Sequence, residues 1–278
     1  MVLDLSLSGG GIKGVAHIGV LKEIEERKIN IHSITGCSSG SIVATLFACG
    51  YTADEIYFLF KKYISNIKKN PIKINIFSFR KNMMGLNNGN IIEQIINKLC
   101  NEKGIRDISD IKMPIFIPAV DLITGKLIYF TNTKKRLTMK KFDNEVEYIY
   151  GGNIGTIVRA SCSFPGIFNP KEYNKYILVD GGLRDCVPVE PLKQYGNNML
   201  TVSFNNNNKQ NISNIIDVIL QSFDIMSHDL KYESIKQAEY NLEIDLLNVK
   251  LLDYKKTEYI YEQGYTQAKT FFNNTYFN

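Results

Sequence analysis

Residues Gly36-Cys37-Ser38-Ser39-Gly40 lie between two contrasting stretches of the sequence. The β-rich run Ile29 to Thr35 predicts a strand, and the run Ser41 to Ala48 predicts a helix. A serine flanked by glycines at such a turn is the pattern of a nucleophile elbow, because the turn strains the backbone and leaves no room for bulk. Alone the five-residue pattern is weak, but its position between strand and helix favours a nucleophilic Ser38.

A glycine-rich loop, Ser8-Gly9-Gly10-Gly11-Ile12-Lys13-Gly14, follows the first apolar run of the chain and precedes a helical pattern. Its Gly-x-Gly-x-x-Gly spacing formally matches a dinucleotide fingerprint, but Thr35-Gly36-Cys37-Ser38 stands where that fold needs an acidic residue. A phosphate-binding loop does not fit either, because no Ser or Thr follows Lys13. The remaining interpretations are an oxyanion hole made by backbone N–H groups of Gly9, Gly10 and Gly11, and a turn without chemistry.

The chain offers two kinds of base to a serine nucleophile. Of its three histidines, His17, His32 and His228, only His228 follows the order Ser, acid, His, and its neighbours predict an amphipathic helix with a solvated or packed imidazole. The other candidate is Asp180, which ends an apolar strand and precedes Gly181 and Gly182. An Asp-Gly turn that merely caps a strand has the same sequence, so the residues alone leave the base open.

The glycine loop, the elbow and the Asp180-Gly181-Gly182 triplet together resemble the patatin-like phospholipase family. Weaker matches lie at Ala16 to Leu21, Gly85-Leu86, Asp121 to Gly125 and Ala160 to Phe168. The resemblance covers roughly residues 2 to 204, and its blocks occur in the family's order and spacing. Ser8 stands where some members have aspartate, and Cys37 stands where threonine is commoner. Neither change removes a catalytic atom.

The resemblance implies an α/β fold, a three-layer α/β/α sandwich with a mainly parallel central sheet. It implies a lipid acyl hydrolase of the phospholipase A or lysophospholipase type, with Ser38 as nucleophile, Asp180 as general base and the glycine loop as oxyanion hole. Lys13 matches the family's basic position and would steer an anionic phosphate, or else it is a snorkelling lysine. No metal and no cofactor is implied. The alternatives are a transacylase with the same acyl-enzyme and a catalytically silent lipid-binding protein.

Composition fits an enzyme with one large core. The chain has 278 residues, 44% of them hydrophobic, and a net charge of +5. It has no apolar run long enough to span a bilayer and no recognisable secretory signal, and its five scattered cysteines fit a reducing compartment. We therefore expect a cytoplasmic protein that contacts phospholipid and, peripherally, anionic membrane, but not nucleic acid. The sequence does not indicate an oligomeric state.

Alternating strand and helix patterns predict a single domain over 1–278, with a family-like core to about residue 204 and a C-terminal helical portion over 205–278. A polar Asn205 to Asn208 loop separates the two. The basic and apolar segment Lys61 to Lys81 fits a flap on an anionic lipid surface or an ordinary solvated loop. We predict strands near 2–8, 30–36, 114–121, 126–131, 175–180, 198–204 and 242–249, and helices near 14–28, 39–50, 52–66, 89–101, 152–161, 211–236 and 256–273.

Overall fold

The computed structural model describes residues 1–69, 84–134, 146–205, 212, 215–250 and 253–276. Its strands are β1 (Val2–Leu7), β2 (Asn30–Gly36), β3 (Gly85–Asn87), β4 (Ile115–Asp121), β5 (Leu127–Thr131), β6 (Val146–Tyr150), β7 (Gly166–Phe168), β8 (Lys171–Tyr173), β9 (Tyr176–Asp180), β10 (Asn198–Phe204) and β11 (Tyr240–Ile244). Its α-helices are α1 (Val15–Glu26), α2 (Ser39–Ala48), α3 (Ala53–Lys69), α4 (Asn90–Glu102), α5 (Ile154–Ser161), α6 (Ile215–Ile235) and α7 (Thr257–Asn274).

One mixed, mostly parallel sheet organises the described residues, with helices flanking it. Its strand order is β11-β10-β1-β2-β4-β5-β6, and β9 pairs with both β4 and β8. The pairs from β11 to β4 are parallel, whereas β4 is antiparallel to β5 and to β9. β4 is buried along its whole length, as expected for a strand covered on both faces.

The pairing along β4 explains how two distant parts of the chain meet. β2 runs parallel to β4 and pairs with Ile115 and Phe116, whereas β9 runs antiparallel and pairs with Ala119 to Asp121. β5 occupies the opposite edge of β4, so β2 and β9 share one edge and their carboxyl ends approach each other. Two residues of β4, Ile117 and Pro118, lie between the two pairings, so Phe116 and Ala119 are about 10 Å apart along the strand. The residues that follow β2 and β9 therefore lie side by side.

The C-terminal helix α7 packs closely on α1. A Cβ atom at Gly19 would lie 2.3 Å from the carbonyl oxygen of Tyr261, and one at Gly264 would lie 2.1 Å from that of Ala16. The two glycines therefore allow the helix backbones to touch. Ile260, Ala268 and Phe272 of α7 join the main hydrophobic core.

The α/β class and the mainly parallel sheet are confirmed, and every predicted helix is present. The strand predicted at 242–249 is misplaced: β11 ends at Ile244 because its partner β10 ends at Phe204. Four short strands, β3, β6, β7 and β8, were not predicted. Residues 70–81 of the predicted flap and 206–208 of the predicted polar loop lie outside the described residues. Within the described ranges, no helix has both the length and the apolar character needed to cross a bilayer.

Candidate active site

Ser38 occupies the turn between β2 and α2 in a strained conformation. Its φ of 50° and ψ of −121° lie where a residue with a side chain is rarely found. The turn is held by hydrogen bonds, since the Ser38 N–H donates to Ser161 Oγ at 3.1 Å and Ser41 Oγ donates to the Ser38 carbonyl at 2.6 Å. This geometry presents a half-exposed hydroxyl at the start of a helix, as a nucleophile elbow requires.

The glycines around Ser38 are required by close backbone contacts. A Cβ atom on Gly36 would lie 2.4 Å from the carbonyl oxygen of Gly40, and one on Gly40 would lie 2.5 Å from that of Leu7. A Cβ on Gly14 would lie 2.6 Å from Ser39 Oγ. The turn, the end of β1 and the glycine loop are thus packed backbone against backbone.

Asp180, at the end of β9, is only 3% exposed and lines the same cavity as Ser38. Its Oδ1 atom accepts the Gly182 N–H at 2.9 Å and contacts the Cys37 thiol at 3.8 Å. Burial raises the pKa of Asp180 to about 6, and interactions with Ser38, Gly182 and Cys37 oppose that rise. The Oδ2 atom makes no hydrogen bond of ordinary geometry to a described residue. Ser38 and Asp180 are therefore neighbours, with one carboxylate oxygen left to accept a proton.

The glycine loop lines the cavity beside Ser38, but not all of its N–H groups are available. The Gly9 N–H donates to the carbonyl of Cys186 at 3.0 Å, so the prediction that Gly9 supplies an oxyanion donor needs correction. The N–H groups of Gly10 and Gly11 make no hydrogen bond within the described part of the chain. Gly10 precedes and Gly11 begins a short helical turn at Gly11–Gly14, where the helix dipole favours negative charge. Gly10 and Gly11 remain as candidate donors.

None of the three histidines, all of which are described, lines the cavity that holds Ser38. His17 is fully buried beneath the glycine loop, with its Nε2 atom 2.9 Å from the carbonyl oxygen of Ser8 and its ring against Phe204. Burial lowers the pKa of His17 to about 4. His32 contacts Asp4, and the exposed His228 contacts its neighbour Asp229. The geometry thus favours a carboxylate over an imidazole as the base.

The cavity beside Ser38 and Asp180 is about 280 Å³ in volume and almost wholly apolar. One part follows α2 inward from Ser38 past Ile42 to Leu46, which is about 12 Å along the helix axis. That part is walled by residues of α3 and α4, namely Leu59, Phe60, Tyr63, Ile92, Ile95, Ile96 and Leu99. The other part lies beside the glycine loop and is lined by Phe223, Asp224 and Ser227 of α6. Ser38 thus lies where two differently lined parts of one cavity join.

Lys13 is buried, at 5% exposure, and does not line this cavity. Burial lowers the pKa of its ammonium group, and the charge of Asp224 opposes that shift. Lys13 is therefore not among the residues that we propose contact the substrate, and its contact with a substrate phosphate stays a prediction.

Sequence reasoning did not identify Ser161 and Arg159 as supports of the site. Ser161 and Arg159 both belong to α5, and Ser161 Oγ accepts the Ser38 N–H. The fully buried Arg159 donates to the carbonyls of Asn88 at 3.0 Å and Asn169 at 2.8 Å, joining two loops beside the cavity. The weaker family match that begins at Ala160 includes Ser161, and no sequence signal pointed to Arg159. Among the described residues, no cluster of three His, Cys, Asp or Glu side chains could hold a metal ion.

Comparison with known sequences places residues 5–193 on the sequence model of the patatin-like phospholipase family. Protein YqhO of Bacillus subtilis is 30% identical over 209 residues, which are 68% of this chain and 66% of YqhO. Protein R571 of Acanthamoeba polyphaga mimivirus is 29% identical, over 96% of this chain and 93% of R571. A protein of Mycobacterium tuberculosis named as an NTE family protein is 27% identical over 68% of this chain, which spans 44% of that relative.

Two solved structures share the fold at low sequence identity. VipD from Legionella pneumophila superposes with a TM-score of 0.53 and 14% identity, covering 98% of this chain and 66% of VipD. ExoU, in its heterodimeric complex with SpcU from Pseudomonas aeruginosa, superposes with a TM-score of 0.51 and 16% identity, covering 98% of this chain and 51% of its own.

Proposed function

The chain belongs to the patatin-like phospholipase family, and from that premise we propose that it is a lipid acyl hydrolase with Ser38 as nucleophile and Asp180 as general base. One observation carries the proposal: a serine in a strained elbow adjoins a buried carboxylate at the wall of an apolar cavity. The strained backbone conformation of Ser38 is informative because the surrounding backbone and the hydrogen bond from the Ser38 N–H to Ser161 maintain it, not the Ser38 side chain.

In the proposed reaction, Asp180 Oδ2 accepts the proton of Ser38 Oγ as that oxygen attacks the ester carbonyl. The N–H groups of Gly10 and Gly11 hold the negative oxygen of the tetrahedral intermediate. Asp180 then returns the proton to the departing alcohol, leaving an acyl group on Ser38. A water molecule, deprotonated by Asp180, then attacks the acyl carbonyl, the bond to Ser38 Oγ breaks, and Asp180 returns the proton to Ser38 as the fatty acid leaves. A carboxylate with a pKa near 6 is a stronger base than an ordinary aspartate and still ionised at neutral pH.

The lining of the cavity suggests where the acyl chain and the alcohol part of the ester bind. The part walled by α2, α3 and α4 is apolar and includes the buried Leu46 and Leu99, so it suits one acyl chain. The part beside α6 carries Asp224 and Ser227, polar groups that suit the alcohol or head group of a phospholipid. The outward side of α6 exposes Ile225 and Met226, which we propose contact the lipid surface from which the substrate comes.

Labelling by a fluorophosphonate probe tests the nucleophile and the base. The wild-type protein should label, Ser38→Ala should not, and Asp180→Asn should label at least a hundredfold more slowly because it lacks the base. His228→Gln is the matched control and should label at the wild-type rate. Loss of labelling in a folded His228→Gln protein would instead support a Ser, acid, His triad.

Fatty acid release from mixed phospholipid vesicles then tests the substrate class. Release that depends on Ser38 is the expected result. Transfer of the acyl group to added alcohol in preference to water would indicate a transacylase. A folded protein that neither labels nor releases fatty acid would contradict hydrolysis and leave lipid binding as the function.

A further inference from the structure

Two cysteines meet where α2 and α4 end, shortly after Leu46 and Leu99, which line the cavity. Cys49 follows the last residue of α2, and Cys100 lies in the last turn of α4, with their sulfur atoms 3.5 Å apart. Both side chains are buried, at 6% exposure for Cys49 and 0% for Cys100. A disulfide bond is about 2.05 Å long, so the sulfurs need to approach by only about 1.5 Å to be joined.

The surrounding hydrogen bonds already hold these two helix ends together. The Tyr51 hydroxyl donates to the carbonyl of Leu99 at 2.9 Å, and Lys103 Nζ donates to the carbonyl of Gly50 at 3.3 Å. Each bond joins a neighbour of one cysteine to a neighbour of the other. The thiols are therefore held close by the fold, which gives their reaction with each other a high effective concentration.

We propose that Cys49 and Cys100 form a redox modification site, a dithiol that a peroxide converts into a disulfide joining α2 to α4. The slightly exposed Cys49 sulfur, as its thiolate, attacks one peroxide oxygen and breaks the O–O bond, giving a sulfenic acid and water. The Cys100 sulfur then attacks Cys49, expels the hydroxyl group as a second water, and forms the S–S bond. The two thiols lose two electrons and two protons, and hydrogen peroxide takes up both.

The order of these steps follows from the environment of Cys100. Cys100 is fully buried, at 0% exposure, whereas Cys49 is 6% exposed and lies at the helix end next to the exposed Gly50. An oxidant therefore reaches Cys49 first, which leaves Cys100 as the resolving cysteine.

The other three cysteines do not share this arrangement. Cys37, Cys162 and Cys186 surround the Ser38 and Asp180 site, but no two of their sulfurs make a contact like that of Cys49 with Cys100. Burial raises the pKa of all three thiols. We therefore expect peroxide to join Cys49 to Cys100 selectively.

Closure of this disulfide would act on the cavity, an effect that rests on the function proposed above. Leu46 and Leu99 are buried residues that line the acyl part, and they lie three residues before Cys49 and one before Cys100. A bond between the cysteines ties these leucines together and prevents α2 and α4 from separating around a long acyl chain. Short chains, which end before Leu46, should be little affected.

The first test is chemical and does not depend on activity. The reduced full-length protein is treated with hydrogen peroxide, its remaining thiols are alkylated, and its peptides are mapped by mass without reduction. We expect a peptide pair linked through Cys49 and Cys100, two hydrogens lighter than the thiols and released by dithiothreitol. The melting temperature should rise by about 5 to 10 °C. Sulfinic acid at these positions, or a link between other cysteines, would overturn the proposal.

Variants keep the test specific. Cys100→Ser and Cys100→Ala should both abolish the link and the rise in melting temperature. Two substitutions are used so that the test still stands if one of them prevents folding. Cys186→Ser is the matched control and should still form the link. A melting temperature that rises equally in Cys100→Ala would show that the bridge is not its cause.

Turnover of p-nitrophenyl palmitate and octanoate tests the effect on the cavity. Oxidation should lower the palmitate to octanoate ratio of kcat/KM by about fivefold, and dithiothreitol should restore it. An unchanged ratio in protein shown by mass to be linked would overturn the coupling to the cavity. Absence of turnover of both esters by the reduced protein would instead contradict the proposed function, and the mapped peptides would still decide whether the bridge forms.

Discussion

The two sides of the cavity are built in opposite ways. On the side of Ser38, backbones touch: Cβ atoms at Gly36 and Gly40 would lie 2.4 Å and 2.5 Å from carbonyl oxygens. On the side of α6, the helix offers Phe223, Asp224 and Ser227 to the cavity, while Ile225 and Met226 remain 67% and 69% exposed. The elbow side is fixed by many mutual contacts, and α6 has an apolar face that no described residue covers.

This difference assigns separate tasks to the two sides. Attack on an ester needs the nucleophile, the base and the oxyanion donors in one fixed geometry, and a shift of about 1 Å is costly. Entry of an amphiphilic substrate needs a surface that meets lipid and tolerates different chains. The elbow side suits the first task, and α6 suits the second. Substitutions on the elbow side should therefore abolish chemistry, whereas those on α6 should change only the access of lipid.

The largest effect is expected from Gly40→Ala. The added methyl group would press on the carbonyls of Leu7 and Ser8, which are backbone atoms and cannot rotate away. We expect a loss of about 3 kcal/mol in unfolding free energy and no labelling by the fluorophosphonate probe. Urea denaturation and labelling measure the two effects. Ile225→Ala on α6 is the contrasting variant and should change the unfolding free energy by less than about 1 kcal/mol. Equal effects of the two substitutions would contradict the comparison.

The second prediction concerns pH and Asp180. Activity requires the carboxylate, so kcat/KM should fall about tenfold for each pH unit below the pKa of about 6. Stability should change in the opposite direction. Because the folded pKa is raised above the ordinary value, the protonated form favours folding at low pH, and this contribution is lost as pH rises through about 6.

Asp180→Asn isolates the stability effect. At pH 8 the amide avoids a buried charge, so the variant should be more stable than wild type by about 2 kcal/mol, and by much less at about pH 4, near the ordinary pKa of an aspartate. Burial also raises the pKa of Asp185 to about 7 and lowers that of His17 to about 4. Both groups are present in wild type and variant, so their contributions cancel in the difference between the two unfolding free energies. A difference in unfolding free energy that does not vary with pH would show that Asp180 is not desolvated as the structure indicates.

The third prediction concerns the acyl part of the cavity. Leu46→Phe adds bulk to its wall about 12 Å from Ser38 along α2. We expect the palmitate to octanoate ratio of kcat/KM to fall about tenfold, with labelling by a small fluorophosphonate unchanged. Leu247→Phe, at a position that is 59% exposed, is the matched control and should leave the ratio as it is. A loss shared equally by both esters would mean that the acyl chain does not extend to Leu46.

The sequence was most informative where backbone geometry restricts the choice of residue. Ser38 and its glycines could be predicted because only small residues fit a turn this close to β1 and α2. Whether the Gly9 N–H is available to an oxyanion could not be predicted, since it depends on the carbonyl of Cys186, 177 residues away. The electrostatic environment of Lys13 likewise depends on Asp224 and Lys231 of α6, a helix that local pattern predicts but cannot place. Asp180 needed the family resemblance, because strand pairing along β4, rather than spacing, brings it to Ser38.

The smallest effect is expected from replacing Ile225 and Met226 together by serine. The two side chains point away from the part of α6 that lines the cavity, so turnover of a water-soluble ester should stay within about twofold of wild type. Release of fatty acid from phosphatidylcholine vesicles should fall about threefold or more, because apolar area that would enter the lipid surface is lost. The adjacent pair Leu122 and Ile123, exposed at 52% and 73% in the turn after β4, provides the matched control.

Serine at Leu122 and Ile123 removes a similar apolar area from another part of the surface, so vesicle turnover should stay at the wild-type rate. If both double variants lose vesicle activity equally, general surface hydrophobicity explains the effect and α6 has no special part in lipid contact. If the α6 variant loses activity on the soluble ester as well, the helix helps to form the catalytic geometry. The division between a fixed elbow side and a lipid-facing α6 would then fail, because both sides of the cavity would contribute to the chemistry.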